Sequence, residues 1–466
     1  MRQLLTSRIT VLVLSLSILR LIASPFFGYG VDEAHYVLYA KNLALSYFDH
    51  PPLVGWTHSV FSAFIQNEFA ARVPAILLGA LNSFLIYDLL KEKDKNGAFL
   101  AVIALNGSLT IGVLFLTLMP DSLLITMMLL LLYAVKRLEG EKTFLNYLYI
   151  GLILGVAGLS KYTAVLLVPA LFAYIAYKKR YDIIFNSKTL VSILVSCAVI
   201  SPVLIWNIQN DFASFAFQAS HVSGGDKIDI KTFFTSLGRQ AATYNPALFL
   251  IAFFGLYKAA KNREFLLPLC IGVAVVLFMF YSQSKQVALP HWISPFFVLF
   301  IPIGTLYLYK TAPKTTKYIV YISLAIAVLI HLELIFKIGK FPDYKSPFRD
   351  IAGWDNGSKI GANIAKQRCA DGLAVTNWSE ASRVILYSEF PVFLLDSRVD
   401  QFDMWQKESP EGKNLLFINP KTFYRDINGS YRCDEIIPAG RYDETINGGI
   451  VDSFSYELCI NYQGIR

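Results

Sequence analysis

The sequence predicts a polytopic α-helical membrane protein of about eleven transmembrane helices, followed by a C-terminal external α/β domain. Three observations predict it. Hydrophobic residues make up 55% of the chain and charged residues only 16%, against roughly 25% charged in a typical soluble domain. The mean hydropathy is +0.47. The apolar residues come in runs of about 17–25, the length that crosses hydrocarbon as a helix. The net charge of +8 does not point to nucleic acid, because the Lys and Arg residues sit in short links between the apolar runs.

The runs place spans at about 8–27, 69–90, 97–117, 121–136, 144–159, 162–178, 189–207, 246–260, 264–282, 291–309 and 317–338. Arg2 and Arg8 before the first run resemble a signal peptide, but we read an uncleaved helix, since cleavage near Ala23 would detach the charged loop that follows. One alternating set of links, at 91–96, 136–142, 178–188, 258–264 and 310–317, carries 16 Lys and Arg residues. The opposite set, at 28–68, 118–120, 160–161, 208–245 and 283–290, carries 6 over many more residues. The first set is therefore expected in the cytoplasm, which puts the N-terminus inside and the C-terminal region outside.

This orientation gathers the polar motifs on one face. Residues 28–56 are the densest of them: Asp32, Glu33, His35, Lys41, Asp49 and His50 fall within nineteen positions. Asp32 and Glu33 read either as acids in the first turn of an interfacial helix or functionally, with Asp32 as a general base or as an electrostatic partner to positive charge developing at a sugar carbon. Asp49 and His50 precede two prolines that enforce extended backbone. They read as a plain turn, or as a site for a hydroxyl, a phosphate or a metal ion. Asp121 follows Pro120 at an outer span end, and Lys161 lies between two apolar runs. Lys161 either snorkels to the surface or, as an unpaired cation, holds a lipid-linked phosphate. Tyr162, Arg72, Lys285, His291 and Trp292 are further candidates for the donor, although an interfacial Trp is also a common anchor. The link 207–245, with Asn207, Asp211 and His221, is long enough to cover a site as a lid. No Gly-rich phosphate loop, CxxC or GxSxG occurs.

Beyond residue 340 the spanning runs stop. LAVTN (373–377), EASRVILYSE (380–389), VFLLD (392–396) and NLLFIN (414–419) read as strand, helix, strand, strand. The expected domains are thus 1–339, with external loops 28–68 and 208–245, and 340–466 outside. Cys197 and Cys270 lie in apolar runs as packing residues. Cys369, Cys433 and Cys459 allow a bridge that sequence cannot pair.

Taken in order, DEAHYVLYAKNLALSYFDHPPLVGW, ARVP, LMPDSL, LSKYTAVLLVPA, SPVLIWNIQNDFASFAFQ and LPHW, with GWDN (353–356) and QFDMW (401–405), resemble the membrane-embedded GT-C glycosyltransferases. The branch is that of the lipid A aminoarabinose transferases, the rhizobial galacturonosyltransferases and the protein O-mannosyltransferases. The likeness runs over essentially the whole chain. It implies transfer of a sugar, with inversion, from a polyprenyl-phosphate donor to a lipid or glycan acceptor on the outer face of a bacterial inner membrane. A protein acceptor is the alternative, and a lipid-linked sugar flippase is the alternative of another class. The resemblance implies that Asp32 is the first-loop catalytic acid, with Glu33 beside it, and that Asp121 is an acid of the central cavity. Two departures stand out: Asp49-His50-Pro51 replaces acid-lysine-proline, and MPD replaces TPD. No cofactor is required on this reading. Whether a divalent cation binds, with Asp49, His50 and His221 as its ligands, is left open.

Overall fold

The computed structural model describes residues 7–223 and 228–466, with side chains at 221–223 not included. The described residues fall into two compact units. The first holds the N-terminal helix up to Ile22, Ala44–Phe64 and Ala70–His331; the second holds Ala23–Leu43, Ile65–Phe69 and Leu332–Arg466.

The first unit is a helical membrane-type bundle. Among the described residues, six helices are long and apolar enough to cross a membrane: Arg8–Phe26, Glu68–Lys91, Thr189–Gln209, Arg263–Gln283, Pro290–Thr311 and Pro313–Phe336. Phe144–Ser160 and Tyr162–Tyr177 are shorter apolar helices. The remaining expected spans are also helical, with altered ends. Residues 97–117 are broken at Ser108, whose extended backbone separates Lys95–Gly107 from Leu109–Leu114. The short span expected at 121–136 runs as Pro120–Gly140. Good helix formers continue it past the apolar run, and Pro120 starts it where a missing N–H costs nothing.

Packing inside the bundle uses small residues and a few polar ties. A Cβ on Gly304 would fall onto the Ile251 carbonyl oxygen, and one on Gly255 onto that of Phe300. The helices Pro246–Lys261 and Ser294–Thr311 therefore meet backbone to backbone, as membrane helices do where only van der Waals contact drives them together. Arg20 is 3% exposed and donates to Asn106 Oδ1 at 2.9 Å, and Asn106 donates to Ser83 Oγ at 3.0 Å. Three helices are thereby tied by hydrogen bonds that water cannot replace.

The second unit contains a five-stranded sheet. Its strands are β1 (Gly372–Val375), β2 (Val392–Leu394), β3 (Leu415–Pro420), β5 (Glu435–Ile446) and β6 (Gly449–Ile460), in the order β2-β1-β3-β6-β5. β4 (Tyr431–Arg432) pairs with β7 (Gly464–Ile465) apart from it. β1 is parallel to β2 and β3, while β6 is antiparallel to β3 and β5. The predicted strand, helix, strand, strand is present, with the helix at Trp378–Tyr387. The β5–β6 hairpin lies beyond that expectation. Its turn is Asn447-Gly448, both at positive φ (53° and 85°), the pairing a two-residue hairpin turn demands. Cys433 and Cys459 form a disulfide, while Cys369 is free and exposed.

Two buried carboxyls in this unit set a pH dependence. Burial pushes Glu380 up to about 7, although Thr376 N and Oγ1 donate to it at 2.8 and 3.1 Å. Burial also pushes Asp400 up to about 6. Their folded values lie above the ordinary 4.5 and 3.8, so the folded state holds more protons across that window. The stability they contribute is full below the ordinary values and is lost as pH rises through about 6 and about 7. A thermal melt of the sheet unit should fall between pH 5 and pH 8, and Glu380→Gln should flatten the fall. A melt that rises over that interval would contradict the assignment.

Candidate active site

Within the membrane unit the polar residues converge on Asp121. Met119 is extended and Pro120 opens the helix, so Asp121 lies in its first turn, where the helix dipole favours an acid. Ser122 Oγ donates to the Leu114 carbonyl at 2.8 Å and accepts from Met119 N at 3.3 Å, which fixes the approach to that turn. Lys161 ends Phe144–Ser160, at the helix pole that favours a cation. Its ammonium donates to both Asp121 oxygens, at 2.6 and 2.7 Å. Both residues are buried, at 2% and 8% exposure. Lys161 is therefore neither snorkelling nor unpaired: the helix ends bring it onto a carboxylate forty positions upstream. His291 Nε2 stands 3.9 Å from Asp121 Oδ2, and the Trp292 ring lies beside the His291 ring.

A second cluster adjoins Lys161 along the chain. The Tyr162 hydroxyl meets Ser214 Oγ and stands within reach of Ser46 and Asn207. Asn207 Oδ1 accepts from Phe215 N at 3.3 Å. Gln218 donates to the Asp49 carbonyl at 2.7 Å, and Phe217 packs on Phe48 at 4.8 Å between centroids. The stretch expected to be a lid thus contains the helix Ala213–Ser223, fastened to the Asp49 loop and to Tyr162. Asp211, at φ 50°, makes the bend that turns the chain into it. The His50 carbonyl accepts from Tyr47 N at 3.1 Å. The His221 side chain lies outside the described residues.

Arg72 is fully buried on the helix Glu68–Lys91. Lys285 lies over the Tyr281 ring at 5.1 Å. Among the described residues, no three His, Cys, Asp or Glu side chains are grouped to hold a metal ion. Sequence reasoning misses Ser214, Gln218 and His58. His58 is 1% exposed and faces the Leu118 carbonyl, three residues before Asp121. Burial holds its imidazole neutral, down to about 4. Its helix, Leu53–Ser62, is too short and too mixed to mark one buried face, so only the contact reveals it. An apolar groove of about 440 Å³ runs from Lys161 and Tyr162 along Leu154, Val168, Phe172 and Ile193 to Ile183.

Asp32 and Glu33 belong to the second unit. They open the helix Val31–Lys41, and Glu33 Oε2 accepts from Gly30 N at 3.1 Å, a cap of the helix start. Asp32 is half-buried. The helix is anchored by His35, whose Nδ1 is 3.2 Å from Ser382 Oγ. Around its ring stand Tyr39, Trp378, Phe402 and Trp405, at 5.0, 5.2, 5.7 and 5.9 Å between centroids. Phe402 and Trp405 come from QFDMW, which explains that motif physically. Trp354 of GWDN instead stacks on the buried Arg383 guanidinium at 3.7 Å. Tyr387 donates to Glu68 at 2.6 Å and accepts from Tyr29 N at 3.1 Å, clipping both flanks of the loop to the same unit.

The chain shares its fold, a helical membrane-type bundle with a C-terminal sheet domain, with a solved structure. It aligns with ArnT from Cupriavidus metallidurans in the apo state at a TM-score of 0.65 and 14% identity, over 96% of this chain and 97% of that one. The same protein bound to undecaprenyl phosphate aligns at 0.62 and 13%, with the same coverage. Residues 49–206 match the family described as dolichyl-phosphate-mannose-protein mannosyltransferase. Lipid A galacturonosyltransferase RgtD of Rhizobium johnstonii is 24% identical over 332 residues, 67% of each chain.

Proposed function

We propose that the protein is a glycosyltransferase that moves a sugar from a polyprenyl-phosphate donor to a lipid or glycan acceptor at the outer face of the bacterial inner membrane, with inversion. The observation that carries the reading is the buried Asp121–Lys161 pair, whose lysine lines the apolar groove. A lipid-borne phosphate sugar needs an apolar channel for its chain and charged groups at the depth of its phosphate. Both occur here within one helical unit. The undecaprenyl phosphate held by the ArnT relative has this chemistry.

In the reaction, the acceptor oxygen bonds to the anomeric carbon as the bond from that carbon to the phosphate oxygen breaks. Positive charge gathers on the sugar and negative charge on the leaving phosphate. Asp32 takes the proton of an acceptor hydroxyl, with Glu33 holding the helix start. Lys161, Tyr162, His291 and His50 are assigned to the donor's phosphate and sugar, with Arg72, Lys285, Asp49 and Trp292 supporting them. Asn207, Asp211 and His221 belong to the covering segment. No cofactor is required, and addition of a chelator followed by divalent ions tests whether a cation contributes. The protein-mannosyltransferase name of the family matched at 49–206 supports a protein hydroxyl as the second acceptor class.

The test is purified protein with labelled polyprenyl-phosphate sugar and either lipid A or a peptide. Label appearing in the acceptor supports the reading. Label that crosses the bilayer without leaving its carrier would make the protein a flippase instead.

The reading includes eleven crossings and an external sheet unit. The 16-to-6 bias of Lys and Arg and the Cys433–Cys459 disulfide support it, since disulfides persist in oxidising compartments. Impermeant thiol reagents should label a cysteine placed at Ser430 and spare one placed at Asp94. The reverse pattern would overturn the orientation.

A further inference from the structure

At the other end of the helix Pro120–Gly140, about 22 Å from Asp121 at 1.5 Å per residue, lies a second cavity of about 430 Å³. It lies between the ends of Glu68–Lys91 and Pro120–Gly140, the middle of Ser294–Thr311 and the turn Arg263–Phe265. Its deeper wall is apolar, formed by Leu132, Leu267, Leu299 and Ile303. Its mouth is charged. Most of these charges are matched: Lys93 pairs with Glu264, Lys178 with Glu139 at 2.7 Å, and Asp88 with Lys91. Lys136 and Arg263 also line the mouth; among the described residues neither has a carboxylate within ion-pair distance, and Lys136 attracts Asp88 and Glu264 only at longer range. Glu92 is the one lining acid left in the same condition among the described residues, so two cations without a direct ion pair stand against one such acid once Lys91, outside the lining, is counted as the partner of Asp88.

An apolar wall below two cations without a direct ion pair, at the end of a membrane bundle, complements one kind of molecule: an amphiphile with an anionic head and a hydrocarbon tail. We infer that this cavity holds an anionic phospholipid of the adjacent leaflet, its phosphodiester on Lys136 and Arg263 and an acyl chain against Leu132 and Leu299. The volume lies in the range of about 300–1,000 Å³ usual for small-ligand sites. Cations near a bilayer surface draw anionic lipid by direct charge attraction. The site uses none of the residues assigned to sugar transfer, so the inference stands apart from that reading.

The test uses the full-length protein in phosphatidylcholine nanodiscs with and without phosphatidylglycerol. Native mass spectrometry then counts lipid retained after extraction. Wild type should keep phosphatidylglycerol in preference to phosphatidylcholine. Lys136→Gln/Arg263→Gln should lower that retention about tenfold or more, as expected for two cations lost from an anionic headgroup. Leu132→Phe, which narrows the cavity and keeps every charge, should lower it as well. Lys258→Gln, a cation outside the cavity, should leave it unchanged. Equal retention in wild type and the double variant would overturn the site, and so would an equal loss with Lys258→Gln. Displacement of the lipid by inorganic phosphate alone would make it a phosphate site and overturn the lipid assignment. If the double variant fails to fold, the wild-type lipid preference and Leu132→Phe still decide.

Discussion

A folded Asp32→Asn protein is expected to transfer sugar about 100- to 10,000-fold more slowly than the wild type, the range for loss of a general base. Asp32 lies in the first turn of Val31–Lys41, and its helix is held by the Glu33 cap and the His35 cage. Replacing a carboxylate by an amide of the same shape leaves those contacts in place. Single-turnover rates beside a thermal melt separate chemistry from folding. Wild-type turnover in a folded variant would remove Asp32 from the mechanism. An acceptor that is already an ionised phosphate needs no base, and a pH-independent loss in the variant would identify that case. His35→Leu supplies the complementary measurement. It should lower kcat by loosening the helix while the pH profile of the remaining activity keeps its shape.

Lys161→Met should have the largest effect on stability. Its ammonium is bound to both oxygens of a carboxylate that is 2% exposed. Removing one partner of a buried pair leaves an uncompensated charge and typically costs about 3–5 kcal/mol. Asp121→Asn should cost a similar amount for the same reason. The double variant Asp121→Asn/Lys161→Met should regain most of that stability, because no bare charge remains, while donor use stays impaired. Lys161→Arg should rescue only partly, since a planar fork does not reproduce a compact ammonium. Donor KM and kcat measured for the folded fraction decide the role. Normal donor kinetics in the double variant would make the pair structural and shift the phosphate assignment to Arg72 or Lys285.

The bundle was legible because hydrocarbon leaves so few choices: apolar runs such as 69–90 and 189–207 have little option but to be helices. Strands β1, β2 and β3 were legible from short β-branched and aromatic runs. The hairpin β5–β6 carried a readable Asn447-Gly448 signal, but the flanking strands are largely polar on one face and did not stand out. The candidate site was legible residue by residue and not as pairs. Asp121 and Lys161 each announced themselves as charges beside apolar runs. Nothing in their spacing said that one neutralises the other, since that depends on how two helix ends meet. The cage around His35 was hidden for the same reason: Trp378, Phe402 and Trp405 are more than three hundred positions away. Cys433 and Cys459 could be paired only once β5 and β6 were in register, with Ile436 opposite Cys459.

The cage also bears on biogenesis. The second unit is assembled from Ala23–Leu43, Ile65–Phe69 and Leu332–Arg466, so a ribosome delivers its first strip long before the rest. The nascent acid-bearing helix must wait, with His35 undocked, until the segment carrying Trp378, Phe402 and Trp405 has been made and can close on it. A polypeptide stopped short of residue 378 would insert its membrane helices and still carry no anchored Asp32. Conversely, residues 332–466 produced alone would fold around an empty slot lined by Trp378, Phe402 and Trp405, an apolar surface prone to self-association. Joining residues 23–43 to that fragment through a flexible linker would supply the missing plug.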